Sequence, residues 1–424
     1  MIERVEVSDR EIADAVAAVE DEMLDLLARL VEAPTTVGNE ELGQEIIELA
    51  YRDLLGLEPI EIAMDAEALR AHPLASPFSW DVSGKRNVVA DWPAVGSGGH
   101  SLVLNGHIDV VGPASEKLWR TPPFRAVRDG DWLYGRGSGD MKAGLAAIVG
   151  VVLGLRRLGL APLGPVQLQS VVEEESGGNG ALQCVLSGLT PDAAVITEPF
   201  PGFIPTSQLG VLWFHVDVAG TPAHVAYAQD GFNAIEASFP IVEELHALEA
   251  ELNEAPPPPF DVLAHPINFN VGVLSGGDWP STVAAECTLS CRIAHYPGTP
   301  VAELQQMVEE AVARAAAASA YLTEHPPLVR YDGLSCEGSL VADDEPIVQA
   351  VSQAWEAVAG SPAVTGPTTA TTDARAFIAS GVPAVCIGPH AERIHGVDER
   401  VFVPSVVQTA QVLALLVRDW CGLA

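Results

Sequence analysis

Apolar residues recur every three to four positions between Asp9 and Val31 (Ile12, Val16, Val19, Met23, Leu26, Leu27, Leu30). That rhythm predicts a helix, and a second follows near Glu40 to Leu55. Short β-rich runs come next, at 87–91 and 101–105. A helix near Met141 to Leu158, a strand over 165–172, a helix near Gly180 to Ser187 and a strand over 193–197 complete the first half. Strands alternating with helices predict an α/β layer with a largely parallel sheet.

From about Gly210 the pattern changes. A strand over 211–218, a helix from Gly231 to Leu248 and a strand from Asn268 to Leu274 are followed by a strand from Thr282 to Ile293. An Ala-rich helix from Val301 to Tyr321 and a strand at 328–331 close a βαββαβ unit, a small α+β sandwich by itself. The α/β pattern then resumes with a helix from Pro346 to Val358, a strand from Ala384 to Gly388 and a helix from Ser405 to Cys421. We therefore expect an inserted domain at 208–333 that splits a larger one into 1–207 and 334–424. The proline run Pro256 to Pro259 falls inside the insertion and reads as a stiff surface loop.

The 424 residues fit a two-domain chain. Lys and Arg total 22 against 57 Asp and Glu, a formal charge of -35. So acidic a surface repels phosphate backbones and anionic lipid, which argues against nucleic-acid and membrane partners. Six scattered cysteines form no CxxC pair and read as reduced thiols. The acidic start, from Met1, lacks the apolar core of a signal peptide. The apolar stretch Ala143 to Leu155 is too short to span a bilayer. A cytoplasmic protein is expected.

Five segments concentrate metal-type side chains at strand ends or in the loops beyond them. They hold His107 and Asp109; Asp140; Glu173, Glu174 and Glu175; Glu198; and His395, Asp398 and Glu399. Open α/β sheets build their sites where strands end in loops. Each segment alone has an ordinary reading: a half-buried His107, an Asp140 helix cap, a solvated acidic turn at 173–175, a strand end at Glu198. Five together point to one site. Two imidazoles and several carboxylates without cysteine suit zinc, or manganese or cobalt. The Gly-rich 135–139 run is not a phosphate cradle, because it lacks the P-loop Lys-Ser/Thr pair and ends on Asp140.

The ordered set Gly106-His-Ile-Asp-Val-Val, Tyr134-Gly-Arg-Gly-Ser-Gly-Asp-Met-Lys, Glu173-Glu-Glu-Ser-Gly-Gly, Thr197-Glu-Pro, Gly220-Thr-Pro-Ala-His and the late His395 resembles the dinuclear zinc aminoacylase and carboxypeptidase family. That family includes acetylornithine deacetylase, succinyl-diaminopimelate desuccinylase and glutamate carboxypeptidase, and the resemblance runs from Asp21 to Leu413. It implies a zinc-peptidase-like, mostly parallel sheet with helices on both faces, split by the inserted lid and dimerisation domain. It implies two divalent metals per chain: His107 and Glu198 on one, Glu175 and His395 on the other, Asp140 bridging. Asp109 would accept the second N–H of His107, Glu174 would be the general base, and the peptide bond after Asp140 would be cis. His224 would reach into a partner subunit's site as an oxyanion donor, and Arg292 would grip a substrate carboxylate. Arg375 is a second substrate-binding candidate, or else a helix-surface charge.

Two stretches depart from that pattern: Val225-Ala-Tyr-Ala-Gln after His224, and Ser281-Thr-Val-Ala where some relatives carry Asn-Val-Val-Pro. Both lie on the lid, where they affect specificity more than metal chemistry. The resulting expectation is a homodimeric metal-dependent deacylase of N-acyl amino acids, acetylornithine-deacetylase-like. A dipeptidase or carboxypeptidase on the same site is the alternative. A catalytically silent metal-binding scaffold is the competing class, and the presence of Glu174 argues against it.

Overall fold

The computed structural model describes residues 4–188 and 190–424; the first three residues of the acidic start lie outside them. Its central sheet has six strands in the order Pro59–Ala63, Arg86–Trp92, Val166–Val171, Leu102–His107, Ala193–Ile196 and Ala384–Cys386. The last four run parallel, and Arg86–Trp92 is antiparallel to both its neighbours. Every position of Leu102–His107 and Ala193–Ile196 is buried, as expected of strands covered on both faces. The apolar stretch is a core helix, Lys142–Arg157. It packs on Leu102–His107 and on the helices Asp9–Ala17, Glu20–Glu32 and Val403–Leu416. At Gly144 an added Cβ would stand 2.4 Å from the Thr197 carbonyl, so only glycine lets this helix start so close to the strand end before Glu198. Among the described residues no helix is long and apolar enough to cross a membrane.

The long first helix is two. The break falls at Ala18 and Val19, and the second helix opens with Glu20, Asp21 and Glu22 in its first turn, where acids complement the helix dipole. Two small sheets escape the sequence pattern. Phe203–Gln208 pairs with Ser339–Leu340 and Val364–Thr368, and Arg400–Phe402 lies between Ala391–Glu392 and Trp132–Tyr134. The second of these brings the 393–399 loop beside the loop that follows Tyr134.

The βαββαβ order appears as Gly210–Ala219, Ala234–Leu252, Phe269–Gly276, Glu286–His295, Val301–Ala317 and Leu328–Arg330. Its sheet is antiparallel throughout. Alternate residues of Gly210–Ala219 (Leu212, Phe214, Val216, Val218) meet Ile241, Leu245, Leu304 and Val308 in a core separate from that of the central sheet. The strand expected from Thr282 begins only at Glu286, because Ser281 and Val283 bond to the backbone of Val225 and Ala223 instead.

Candidate metal centre

The central sheet delivers three of the five segments to one edge, and the loop before a core helix brings the fourth. His107 ends its strand, and Glu174 and Glu175 follow the strand Val166–Val171. Glu198 follows Ala193–Ile196, and Asp140 precedes the helix Lys142–Arg157. Asp140 does not cap that helix, whose N-cap is Met141 without a side-chain bond. Nor is the 173–175 turn a solvated one, since Glu173 and Glu174 are buried. The bond between Asp140 and Met141 is cis.

Two groups of donor atoms result, His107 with Asp140 and Glu198, and Asp140 with Glu175 and His395, each within 4.8 Å. Asp140 belongs to both. One of its oxygens lies 3.1 Å from His107 Nε2, the other 3.3 Å from His395 Nε2. Glu198 stands 3.7 Å from His107 Nε2, and Glu175 stands 3.0 Å from His395 Nε2.

Charge is crowded here. Burial, helped by Asp373, Glu198 and Glu175, pushes the Glu174 carboxyl well above the ordinary range. Burial and Asp140 do the same to Glu198. Burial also works against the charged form of Asp140, but His107 and His395 prevail and hold it low. His395 loses some basicity to burial, yet Asp140 and Glu175 carry its pKa up to about 11. Glu175 Oε1 is buried with no hydrogen-bond partner. Clustered carboxylates, an orphaned oxygen and two imidazoles sharing one aspartate are donors that fit a pair of divalent cations.

Asp109 corrects one expectation. His107 Nδ1 donates to the Asp109 backbone carbonyl at 2.9 Å, while the carboxylate is 3.7 Å away. A carbonyl fixes the tautomer as well as a carboxylate would, leaving Nε2 free for a metal. The Asp109 carboxylate instead accepts the backbone N–H groups of Glu174 at 3.3 Å and Glu175 at 3.0 Å. Burial and nearby Glu175 outweigh His107 and push it up to about 7.

Three supporting groups were given no role from sequence. Glu399, fully buried, accepts the backbone N–H groups of Gly137, Gly139 and Asp140 at 3.0–3.1 Å and pairs with Arg136. Arg136 in turn donates to the carbonyl of Gly396 at 3.1 Å, so the pair clamps the Asp140 loop to the His395 loop. Glu173 sits at φ +65° and accepts from Trp80 Nε1 and Lys85 Nζ, both at 2.7 Å. The only hint was position: Glu399 ends one flagged segment and Glu173 begins another.

A cavity of about 540 Å³ faces the donor groups, bordered by Glu174, Phe200, Trp213 and Arg292. Arg292, half-buried on the strand Glu286–His295, has its basicity lowered by that burial. His224 does not border this cavity; it is exposed on the βαββαβ unit, where Nδ1 accepts the N–H of Ala226 at 3.1 Å. Arg375 does not border it either. It is neither a substrate contact there nor a surface charge, but a buried guanidinium that donates to the Gly177 carbonyl at 3.0 Å.

Residues 103–419 match the model of peptidase family M20/M25/M40. The chain is 30% identical over 369 residues to the N-formyl-4-amino-5-aminomethyl-2-methylpyrimidine deformylase of Halalkalibacterium halodurans, covering 81% of this chain and 85% of that one. It is 27% identical over 348 residues to the acetylornithine deacetylase of Proteus mirabilis, with 80% and 84% covered. The fold superposes on the dipeptidase Dug1p of Saccharomyces cerevisiae with a TM-score of 0.81 at 12% identity, covering 98% of each chain.

Proposed function

The chain belongs to peptidase family M20/M25/M40, metal-dependent hydrolases of amides, and from that premise we propose that it is a deacylase that frees the amino group of an N-acyl amino acid. The observation that carries this reading is Arg292. It is a half-buried guanidinium that shares the cavity with Glu174 and both donor groups, with no neighbouring carboxylate acting on it. Its planar fork suits a substrate carboxylate.

We assign His107 and Glu198 to one metal, Glu175 and His395 to the other, and Asp140 to both. Zinc is the first choice. The metals, when bound, lower the pKa of water towards about 7 and polarise the scissile carbonyl. Glu174, buried and raised in pKa, takes the proton of the attacking water and passes it to the leaving nitrogen as the C–N bond breaks. His224 of a second copy would then donate to the oxyanion.

Dimerisation through the lid is supported by its open edge strand Phe269–Gly276, with Val273, Leu274 and nearby Trp279 exposed. The six free cysteines suit the reducing cytoplasm. Mixing inactive His224→Ala and Glu174→Ala chains should restore activity in heterodimers. No recovery despite proven subunit exchange would remove the trans role.

A second reading has its own support. Phe200 and Trp213 border the cavity, and a relative removes a formyl group from an aminomethylpyrimidine. Metal-loaded enzyme should be screened against N-acetyl, N-succinyl and N-formyl amino acids, dipeptides and an N-formyl aminomethylpyrimidine. We expect N-acyl amino acids to have the highest kcat/KM. A clear preference for the heteroaromatic formamide would replace the first reading with the second.

A further inference from the structure

Behind the turn that carries Glu174 and Glu175 lies a second cavity, of about 230 Å³. Leu74, Leu182, the helix Ala374–Ala379 and the segment 335–337 border it. Arg375 lines it and is only 8% exposed. Its Nη2 is engaged by the Gly177 carbonyl, but Nη1 is buried with no acceptor. Asp373, two residues away, does not close the account: neither of its oxygens has a hydrogen-bond partner. Asp373 and Glu174 offset the charge through space, so what is missing is a hydrogen-bond acceptor, and a buried donor left unmatched is a cost that an incoming carboxylate would relieve.

We propose that this cavity is a second binding site, for a small monocarboxylate held by Arg375. The guanidinium fork matches a carboxylate, and Leu74, Leu182 and Ala379 offer apolar surface to a short alkyl chain. Glu337, exposed at the rim, disfavours dianions such as succinate or phosphate.

The site is wired to the catalytic turn. The Gly177 carbonyl accepts from Arg375 and, at 2.6 Å, from the Ser76 hydroxyl. Ser76 also accepts the N–H of Ser335 at 3.0 Å, on the segment returning from the lid. An anion that draws the guanidinium off Gly177 loosens the turn bearing Glu174, so bound acid lowers kcat without competing with substrate. Hydrolysis of any N-acyl compound releases a carboxylic acid, so the ligand is either the enzyme's own product or another short-chain acid. The site itself rests on Arg375 and the cavity, not on the identity of the substrate.

Calorimetric titration of the metal-loaded enzyme with acetate, butyrate, succinate and phosphate tests this, alongside initial rates at varied substrate. Saturable binding of one monocarboxylate and a fall in kcat at constant KM are expected, with the dianions weaker. Ala379→Leu, at the exposed mouth, fills the cavity while leaving the Arg375 guanidinium in the chain, and should weaken acetate about tenfold with metal content unchanged. Arg375→Met should lose the site as well; if that variant does not fold, Ala379→Leu still decides. Equal binding in wild type and Ala379→Leu, purely competitive inhibition, or no binding overturns the proposal. Tighter binding of the product acid than of other acids identifies feedback, and equal binding identifies general acid sensing; both uphold the site. The catalytic reading is judged separately, from the rates without added acid.

Discussion

His107 and His395 are assigned the same task on two neighbouring metals, yet their settings are opposite. His107 ends a fully buried central strand, is 1% exposed, and has its ring fixed by the Asp109 carbonyl. His395 stands on a loop with its side chain 53% exposed. Arg393, His395 and Asp398 all have φ near +60° there, a region that costs a non-glycine residue about 1–2 kcal/mol. The sheet prepares the buried ligand group in advance, whereas the open group depends on the Arg136–Glu399 clamp behind its loop. The two metals should therefore differ in how firmly they are held.

Glu174 borders the same cavity as both groups, and its loss should have the largest effect. Glu174→Gln is expected to cut turnover about 10²–10⁴-fold with both metals retained, while Glu175→Gln loses the open-side metal. A metal assay showing the reverse pattern would move the base to Glu175. Next in size, Glu399→Ala should weaken the open-side metal about 10–100-fold and the buried one less, because Asp140 serves both groups but only the open group also depends on the 393–399 loop. Dialysis against graded chelator with elemental analysis reads this, and simultaneous loss of both metals would erase the contrast. Arg292→Lys keeps a charge but loses the fork, so KM for carboxylate substrates should rise about tenfold at constant kcat. Unchanged kinetics would make Arg292 structural.

The smallest effect concerns pH. In metal-free protein the His395 pKa is raised from 6.5 to about 11, so folding favours its charged form. That stabilisation is complete below pH 6.5 and disappears as pH rises through about 11. A metal must displace this proton, so open-side affinity should increase with pH across the same window. Calorimetry at pH 8 in buffers of different ionisation enthalpy should register proton release; a buffer-independent heat would contradict it.

What the sequence revealed and concealed follows the same divide. The continuous apolar runs at 102–104 and 193–196 announce covered strands, and the ligands stand where those strands stop. Phe203–Gln208 stayed hidden because Pro205 and a polar Thr206-Ser207-Gln208 run do not read as a strand, although those residues are buried. Val364–Thr368 carries Gly366 and Pro367, which read as a turn. The clamp was invisible because Glu399 acts through backbone N–H groups some 260 residues away, a contact with no periodicity. Arg375 misled for a similar reason: charge suggests a surface or a substrate, and only packing reveals a buried guanidinium.

One contact set has a mechanical consequence. Asp109 offers its carbonyl to His107 and its two carboxylate oxygens to the amides of Glu174 and Glu175. Thermal displacement of that residue carries the His107 ring and the backbone of Glu174 and Glu175 in one direction together. Their separations therefore fluctuate less than their positions do, as with tools mounted on one carriage. A chain that breathes as a whole can in this way keep its reacting atoms in register.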